Sequence, residues 1–264
     1  MFTKDSVLLH IPHSSYYICP EYRDLFYLND SELKKEQLKM TDSYTEDLFD
    51  LPFPKLVFPV SRLLCVVERF RDDEKEIMSK RGMGVCYSRT SDMKPLKRLT
   101  DGYVVEMMQM YDVHHRKFEE MVAERLRDSG YCLIIDCHSF SSTRLAYEDE
   151  SERERPDICI GMNREFHRIG ADYFIQAFEK DGYSVDFNYP FSGSIVPEKY
   201  YEKDNRVASI MIEINRALYM DEMSGEKLPG YQELKENLHN IICEMPETYK
   251  ICSGSQPGFI KSAI

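Results

Sequence analysis

The chain has 264 residues and a formal net charge of -12, with 42% hydrophobic and 30% charged residues. The apolar share supports a sizeable α/β core, while the acidic surplus argues against non-specific nucleic-acid binding, which needs a basic surface. Eight cysteines without a CxxC pair, several inside apolar runs, suit buried thiols in a reducing cytoplasm; Lys4 and Asp5 argue against a leader, and no stretch reaches transmembrane length.

The first apolar run begins at Ser6 and reaches Ile11 before Pro12. Proline cannot donate to a ladder, so a strand is expected to stop there. His13 then projects from the sheet edge as a candidate metal ligand. His10 lies inside the strand and is the weaker candidate. Residues 25–48 read as two helical parts. Asp30-Ser31-Glu32 offers an N-cap for the first. Asp42 and Glu46 start the second, four apart on one face. Either is a candidate carboxylate ligand beside two histidines; Asp42 equally suits a helix cap.

Residues 56–67 read as two short strands, followed by Glu68-Arg69-Phe70 and a charge cluster. Gly82 and Gly84 flank a turn ahead of a short strand at Val85–Tyr87, which leads to Arg89. Arginine forks match carboxylates bidentately. Arg69 and Arg89 are therefore candidate grips for an acidic substrate, against the plainer reading of structural salt bridges.

The spacing of Met107, Tyr111, Phe118, Val122 and Leu126 predicts one helix over 101–127, the crossover into the central strand. His114 and His115 are adjacent, so at most one faces a site. Tyr131–Ile135 is Ile- and Leu-rich without polar alternation, which predicts a strand buried on both faces of a parallel sheet. It is expected to end at Asp136-Cys137-His138-Ser139. Ligands of open α/β sheets bind beyond the carboxyl ends of the strands, so His138 is the second candidate metal ligand.

The charge run after Phe140 reads as solvated surface. Asp157–Gly161 is expected as a strand, Phe166–Lys180 as an amphipathic helix, and Tyr183–Val185 as a strand; the turn-rich 188–194 segment is a candidate cover for the site. Ala208–Arg216 is a strongly apolar strand with one carboxylate. Burying an unpaired carboxylate is expensive, so Glu213 needs a partner, such as Arg216, or a purpose. A carboxylate beside a metal-bound water is a general base. A helix over 231–243 and a loosely ordered tail from about 253 close the chain. Unbroken strand–helix alternation predicts one α/β domain over 1–264.

Several of these stretches carry a family pattern in chain order. They are His-Ile-Pro-His-Ser-Ser at 10–15, Thr-Asp-Ser-Tyr-Thr-Glu-Asp-Leu-Phe at 41–49, Glu-Arg-Phe at 68–70 and Gly-Met-Gly-Val-Cys-Tyr-Ser-Arg-Thr at 82–90. Asp-Cys-His-Ser-Phe at 136–140, Pro-Asp-Ile-Cys-Ile-Gly at 156–161, Pro-Phe-Ser-Gly-Ser-Ile-Val-Pro at 190–197 and Ile-Glu-Ile-Asn-Arg-Ala-Leu-Tyr-Met at 212–220 follow. Over residues 6–220 this ordered set resembles the N-formylglutamate amidohydrolase family.

The resemblance implies a three-layer α/β/α domain with a mixed, mostly parallel central sheet, similar to zinc-dependent exopeptidases. It implies a cytoplasmic hydrolase with Zn2+ held by His13, Asp42 and His138, and Glu213 as general base. Asp42 stands in as the carboxylate because Tyr16 occupies the position three after His13, where carboxypeptidases carry theirs. Arg69 is expected to help stabilise the oxyanion, and Arg89, Arg216, Ser139 and Asn215 to bind substrate. The expected substrate is a small acidic N-acyl amino acid such as N-formyl-L-glutamate, with no nucleic-acid or membrane partner. The competing readings are a peptidase or cell-wall-type amidase on the same metal centre, and a non-catalytic metal- or ligand-binding protein.

Overall fold

The computed structural model describes residues 4–149, 151–163 and 168–252; the expected tail from about 253 and Phe166 of the expected amphipathic helix lie outside these. Strands β1 (Val7–Ile11), β2 (Lys55–Val57), β3 (Cys132–Phe140), β4 (Ile158–Gly161), β5 (Val185–Phe187) and β6 (Val207–Asn215) form one sheet in the order β2-β1-β3-β6-β4-β5. The pairings are parallel apart from β4 against β6. The helices are α1 (Asp30–Met40), α2 (Thr45–Leu48), α3 (Asp101–Ser129), α4 (Arg168–Lys180) and α5 (Tyr231–Cys252).

β3 and β6 are buried along their whole length, which is why both read as near-continuous apolar runs. Successive side chains alternate between the two faces. Leu9, Ile135, Ile210 and Ile212 share a core with Phe174 of α4 and Leu238 of α5. Leu8, Ile134 and Val207 point the other way and pack with Phe118 and Val122 of α3. Helices thus cover both faces, giving the expected three layers. α3 starts where the Thr100 side chain accepts from the Tyr103 amide, and stops at Gly130, whose φ of 79° is left-handed. α1 is capped one residue earlier than expected, by an Asn29–Glu32 capping box. No helix among the described residues is long and apolar enough to cross a membrane.

Three expectations about strands change. Of the two strands expected in 56–67 only β2 forms, and Val85–Tyr87 is irregular, tied down by a bridge between Arg89 and Pro95. The apolar residues there are nonetheless buried. Phe58, Leu64, Val66, Val85 and Tyr87 form a second core with Met40 of α1 and Tyr103 and Met107 of α3. Burial alone made these runs apolar, without a ladder. Third, β3 does not stop at Asp136. It continues to Phe140 because β6 runs beside it throughout, pairing Phe140 with Asn215.

The second core encloses Lys97, only 3% exposed. Its ammonium donates to the Leu63 carbonyl and lies 5.5 Å from the Phe26 ring centre and 5.4 Å from that of Tyr103. Burial pulls its pKa down to about 7 from 10.5. The unfolded chain therefore binds one more proton than the folded one between those values. The resulting penalty is full below about pH 7 and fades as pH rises toward 10.5. Lys97→Met is expected to stabilise the protein most at pH 7, with the gain shrinking by up to about 1.4 kcal/mol per pH unit above it. Urea midpoints of both proteins at pH 7, 8 and 9 check this, and a pH-independent difference would contradict it.

Candidate active site

The alternation along β1, β3 and β6 sends His10, Asp136, His138 and Glu213 to the face that α3 covers. Register sets them side by side: His10 lies opposite Asp136, and His138 opposite Glu213. They occupy the carboxyl-terminal halves of their strands. His13 follows β1 after Pro12, and its ring centre is 5.2 Å from that of His138. Glu68 enters from the irregular segment after Val67. All of these side chains except His10 border a cavity of about 1580 Å³, whose walls include Arg62, Arg69, Ser139, Tyr147 and Arg216.

The centre is crowded with carboxylates and imidazoles. His138 Nδ1 is 3.0 Å from Asp42 Oδ2, and its Nε2 is 2.9 Å from Glu68 Oε1 and 3.2 Å from Asp136 Oδ1. Burial disfavours charge on this ring, but the Glu68 and Asp136 carboxylates outweigh it and hold the pKa well above the ordinary value. His13 is 2% exposed, yet neither of its ring nitrogens has a hydrogen-bond partner. Its Nδ1 faces Glu68 Oε2 at 3.4 Å and Asp42 Oδ2 at 3.6 Å. Burial, helped by Arg62, pulls its pKa down to about 4. Donor atoms of His13, Glu68 and His138 all lie within 4.8 Å of one another, as do those of His10, Glu68 and Asp136. Glu213 Oε2 is buried without a partner, and burial pushes the pKa of Glu213 up to about 8 against the pull of His138.

Asp42 is inside the site but engaged differently from the expectation. Its Oδ1 accepts from Arg216 Nη2 at 3.0 Å and from Arg62 Nη1 at 3.4 Å, while Oδ2 accepts from His138. Burial pushes its carboxyl up, but the facing imidazoles of His13 and His138 and the Arg62 guanidinium hold it well below the usual range. Glu46, the alternative, is exposed. Arg216 reaches the cavity wall, yet each of its three nitrogens donates to protein: Nε to Ser139 Oγ, Nη1 to the Lys39 carbonyl, and Nη2 to Asp42 and the Ser139 carbonyl. Asn215 caps the following turn through the Ala217 amide and donates to the Pro156 carbonyl, away from the cavity wall. Arg89 is exposed and also off that wall. Arg69 is on it, with Nε donating to the Met83 carbonyl at 3.2 Å.

Sequence reasoning underweighted two groups. Glu68 follows Val66-Val67, so it carries the signal that singled out Glu213: one carboxylate in an apolar run. His10 is interior to β1, which reads as structural, but its even spacing from Leu8 puts it on the site face. There His10 Nδ1 meets Asp136 Oδ1 at 2.8 Å and Nε2 meets His114 Nε2 at 3.0 Å. His115 borders the cavity, with its Nε2 2.7 Å from the Val67 carbonyl.

Comparison with known proteins places the chain. It matches the family model described as N-formylglutamate amidohydrolase over residues 5–220. It is 24% identical over 256 residues to N-formylglutamate deformylase of Pseudomonas aeruginosa, covering 92% of this chain and 91% of that protein. The crystal structure of N-formylglutamate amidohydrolase from Ralstonia eutropha JMP134 superposes with a TM-score of 0.79 at 19% identity, covering 94% of this chain and 95% of the other. The gene product Atu2144 of Agrobacterium tumefaciens superposes with a TM-score of 0.64 at 17% identity, over 97% and 96% of the two chains. At these identities the two structures speak for the fold alone.

Proposed function

The chain belongs to the N-formylglutamate amidohydrolase family, and from that premise we propose that it is a zinc-dependent enzyme hydrolysing N-formyl-L-glutamate to formate and glutamate. The observation that carries the metal reading is the His13 ring, buried with both nitrogens unpartnered and facing Glu68 and His138. Buried polar groups are normally satisfied, and two imidazoles with one carboxylate are a ligand set of catalytic zinc. Donors on a tetrahedral zinc stand about 3.3 Å apart, given bond lengths near 2 Å; the two Glu68 oxygens stand at comparable range from the imidazoles, Oε1 at 2.9 Å from His138 Nε2 and Oε2 at 3.4 Å from His13 Nδ1. His13, Glu68 and His138 would hold the ion. Asp42, accepting from the far nitrogen of His138, fixes that ring's orientation and tautomer, as carboxylates behind ligating histidines do.

Zinc bound there supplies positive charge that activates water and polarises the formyl carbonyl. Glu213 accepts the proton of the attacking water at its unpartnered carboxylate oxygen. The water oxygen bonds to the formyl carbon, the C–N bond breaks, and Glu213 passes the proton to the departing glutamate nitrogen. Asp136, braced by His10, and Arg216, braced by Ser139, keep the surrounding groups in place. We read the enzyme as cytoplasmic, a reading supported by the unpaired thiols of Cys19, Cys65, Cys86, Cys132, Cys137, Cys159 and Cys243.

The test is formate release from N-formyl-L-glutamate by protein of measured metal content. About one zinc per chain, loss of turnover with chelator and recovery on adding zinc are the expected results. Turnover that survives complete zinc removal would overturn the metal reading. Absence of turnover on every N-formyl and N-acetyl amino acid with zinc bound would favour the non-catalytic alternative.

A further inference from the structure

Behind the acidic centre lies a file of buried rings that stays off the cavity wall. His10 and His114 are both buried, and neither borders the cavity. α3 grips the His10 ring twice. Phe118 stacks on its face, with ring centres 4.6 Å apart and planes 6° from parallel. His114, one helical turn earlier, meets its edge, Nε2 to Nε2 at 3.0 Å. Residues four apart share a helix face, which is why both reach one ring. His114 is itself set edge-on against Phe58, at 5.2 Å and 84°. The other edge of His10 faces Asp136, Nδ1 to Oδ1 at 2.8 Å. That same oxygen is 3.2 Å from His138 Nε2, while Asp136 Oδ2 accepts from the Ile195 amide at 3.3 Å. A carboxylate offers only acceptors, so His10 Nδ1 carries a proton. Burial, with His10 and His115 alongside, pulls the His114 pKa down to about 2, so that ring is neutral. One proton per ring satisfies both contacts without burying a cation: His114 Nε2 donates to a bare His10 Nε2, and His10 Nδ1 donates to Asp136.

We propose that His114 and His10 are positioning residues for the hydrolysis: the N–H of His114 fixes the tautomer of His10, and His10 in turn holds the Asp136 carboxylate beside His138. The inference rests on the hydrolytic reading above and deepens it. Asp136 needs holding because it stands within reach of the ion. Its donor atom lies within 4.8 Å of those of His10 and Glu68, and Glu68 also belongs to the group with His13 and His138. Freed from His10, Asp136 is close enough to compete for the position that catalytic zinc keeps open for water. The two rings touch no substrate, so their effect falls on kcat rather than on KM.

Nitrogen-15 NMR of the imidazoles in zinc-loaded, histidine-labelled protein tests the tautomers without turnover, with His10→Asn and His114→Gln assigning the two rings. His10 is expected to carry its proton on Nδ1 alone and His114 to carry one on Nε2. A His10 ring protonated on Nε2, alone or together with Nδ1, would overturn the proposal. In kinetics, His114→Leu is expected to lower kcat for N-formyl-L-glutamate about 10-fold and His10→Leu about 100-fold, the range for groups that orient the surroundings of a metal, with KM within about 2-fold of wild type. Rescue should be atom-specific. An asparagine amide sits where Nδ1 does and a glutamine amide where Nε2 does, and both can donate. His10→Asn and His114→Gln are therefore expected to keep kcat within about 3-fold of wild type. Equal losses in the leucine and amide variants would mean that the rings only fill space, which also overturns the proposal. Should the leucine variants not fold, the wild-type spectrum still decides. Failure of the hydrolytic reading looks different: no N-formyl substrate turns over, while the two rings keep these tautomers.

Discussion

Glu213→Gln is expected to cut kcat for N-formyl-L-glutamate by about 10²- to 10⁴-fold, the contribution of a positioned general base, with zinc content and KM nearly unchanged. The substitution preserves volume and removes only the capacity to take a proton. It also breaks little, because Glu213 Oε2 has no hydrogen-bond partner to lose. Stability should move the opposite way. Burial raises the Glu213 pKa from 4.5 to about 8, so the folded, metal-free protein holds a proton there that the unfolded chain has released. Stability attributable to this group therefore falls as pH rises through that window. In the metal-free protein Glu213→Gln should be the more stable form at pH 8, and the difference should vanish below pH 4. A less active, more stable variant is the signature of a group kept for chemistry. A kcat within 10-fold of wild type would remove Glu213 from the mechanism.

The legible parts of the chain were those where one physical demand dominates a segment. β3 and β6 are buried on both faces, and only unbroken apolar runs satisfy that. A lone carboxylate in such a run then stands out, which exposes Glu213. α3 reveals itself by periodicity because one long stripe must cover the sheet. The segment 58–98 obeys no single period. Its residues are buried by irregular chain against α1 and α3, so apolar runs there read as strands that do not exist. The same irregularity hid Glu68 and Arg62. Both reach the cavity from loops, and nothing in local spacing says that a loop 55 residues after His13 returns to it. Arg62 and Arg89 look alike in sequence, each beside an apolar run; only the path of the chain puts one on the cavity wall and the other in solvent.

The identity of the carboxylate ligand yields the second large effect, because Asp42 and Glu68 should fail in different currencies. Glu68→Gln removes a proposed zinc ligand and is expected to weaken zinc binding by more than about 100-fold, beyond the 10- to 100-fold typical of a residue that merely orients a ligand. Its side chain is 16% exposed and, among the described residues, pairs with histidines and not with an arginine, so the fold should tolerate the change. Asp42→Asn leaves the three proposed ligands intact, and zinc affinity should fall only about 10- to 100-fold. It does, however, strip the partner from Arg216, whose side chain is 4% exposed and bound to Asp42 at 3.0 Å. Breaking a buried ion pair from one side costs about 3–5 kcal/mol, because the guanidinium stays behind with less to compensate its lost hydration. Zinc competition against a chelator and urea denaturation of the zinc-free proteins separate the two: Glu68→Gln should lose the metal and keep its midpoint, while Asp42→Asn should keep most of the metal affinity and lose stability. The reverse pattern would return Asp42 to the ligand set and make Glu68 the group that orients His138, since its Oε1 already sits 2.9 Å from that ring.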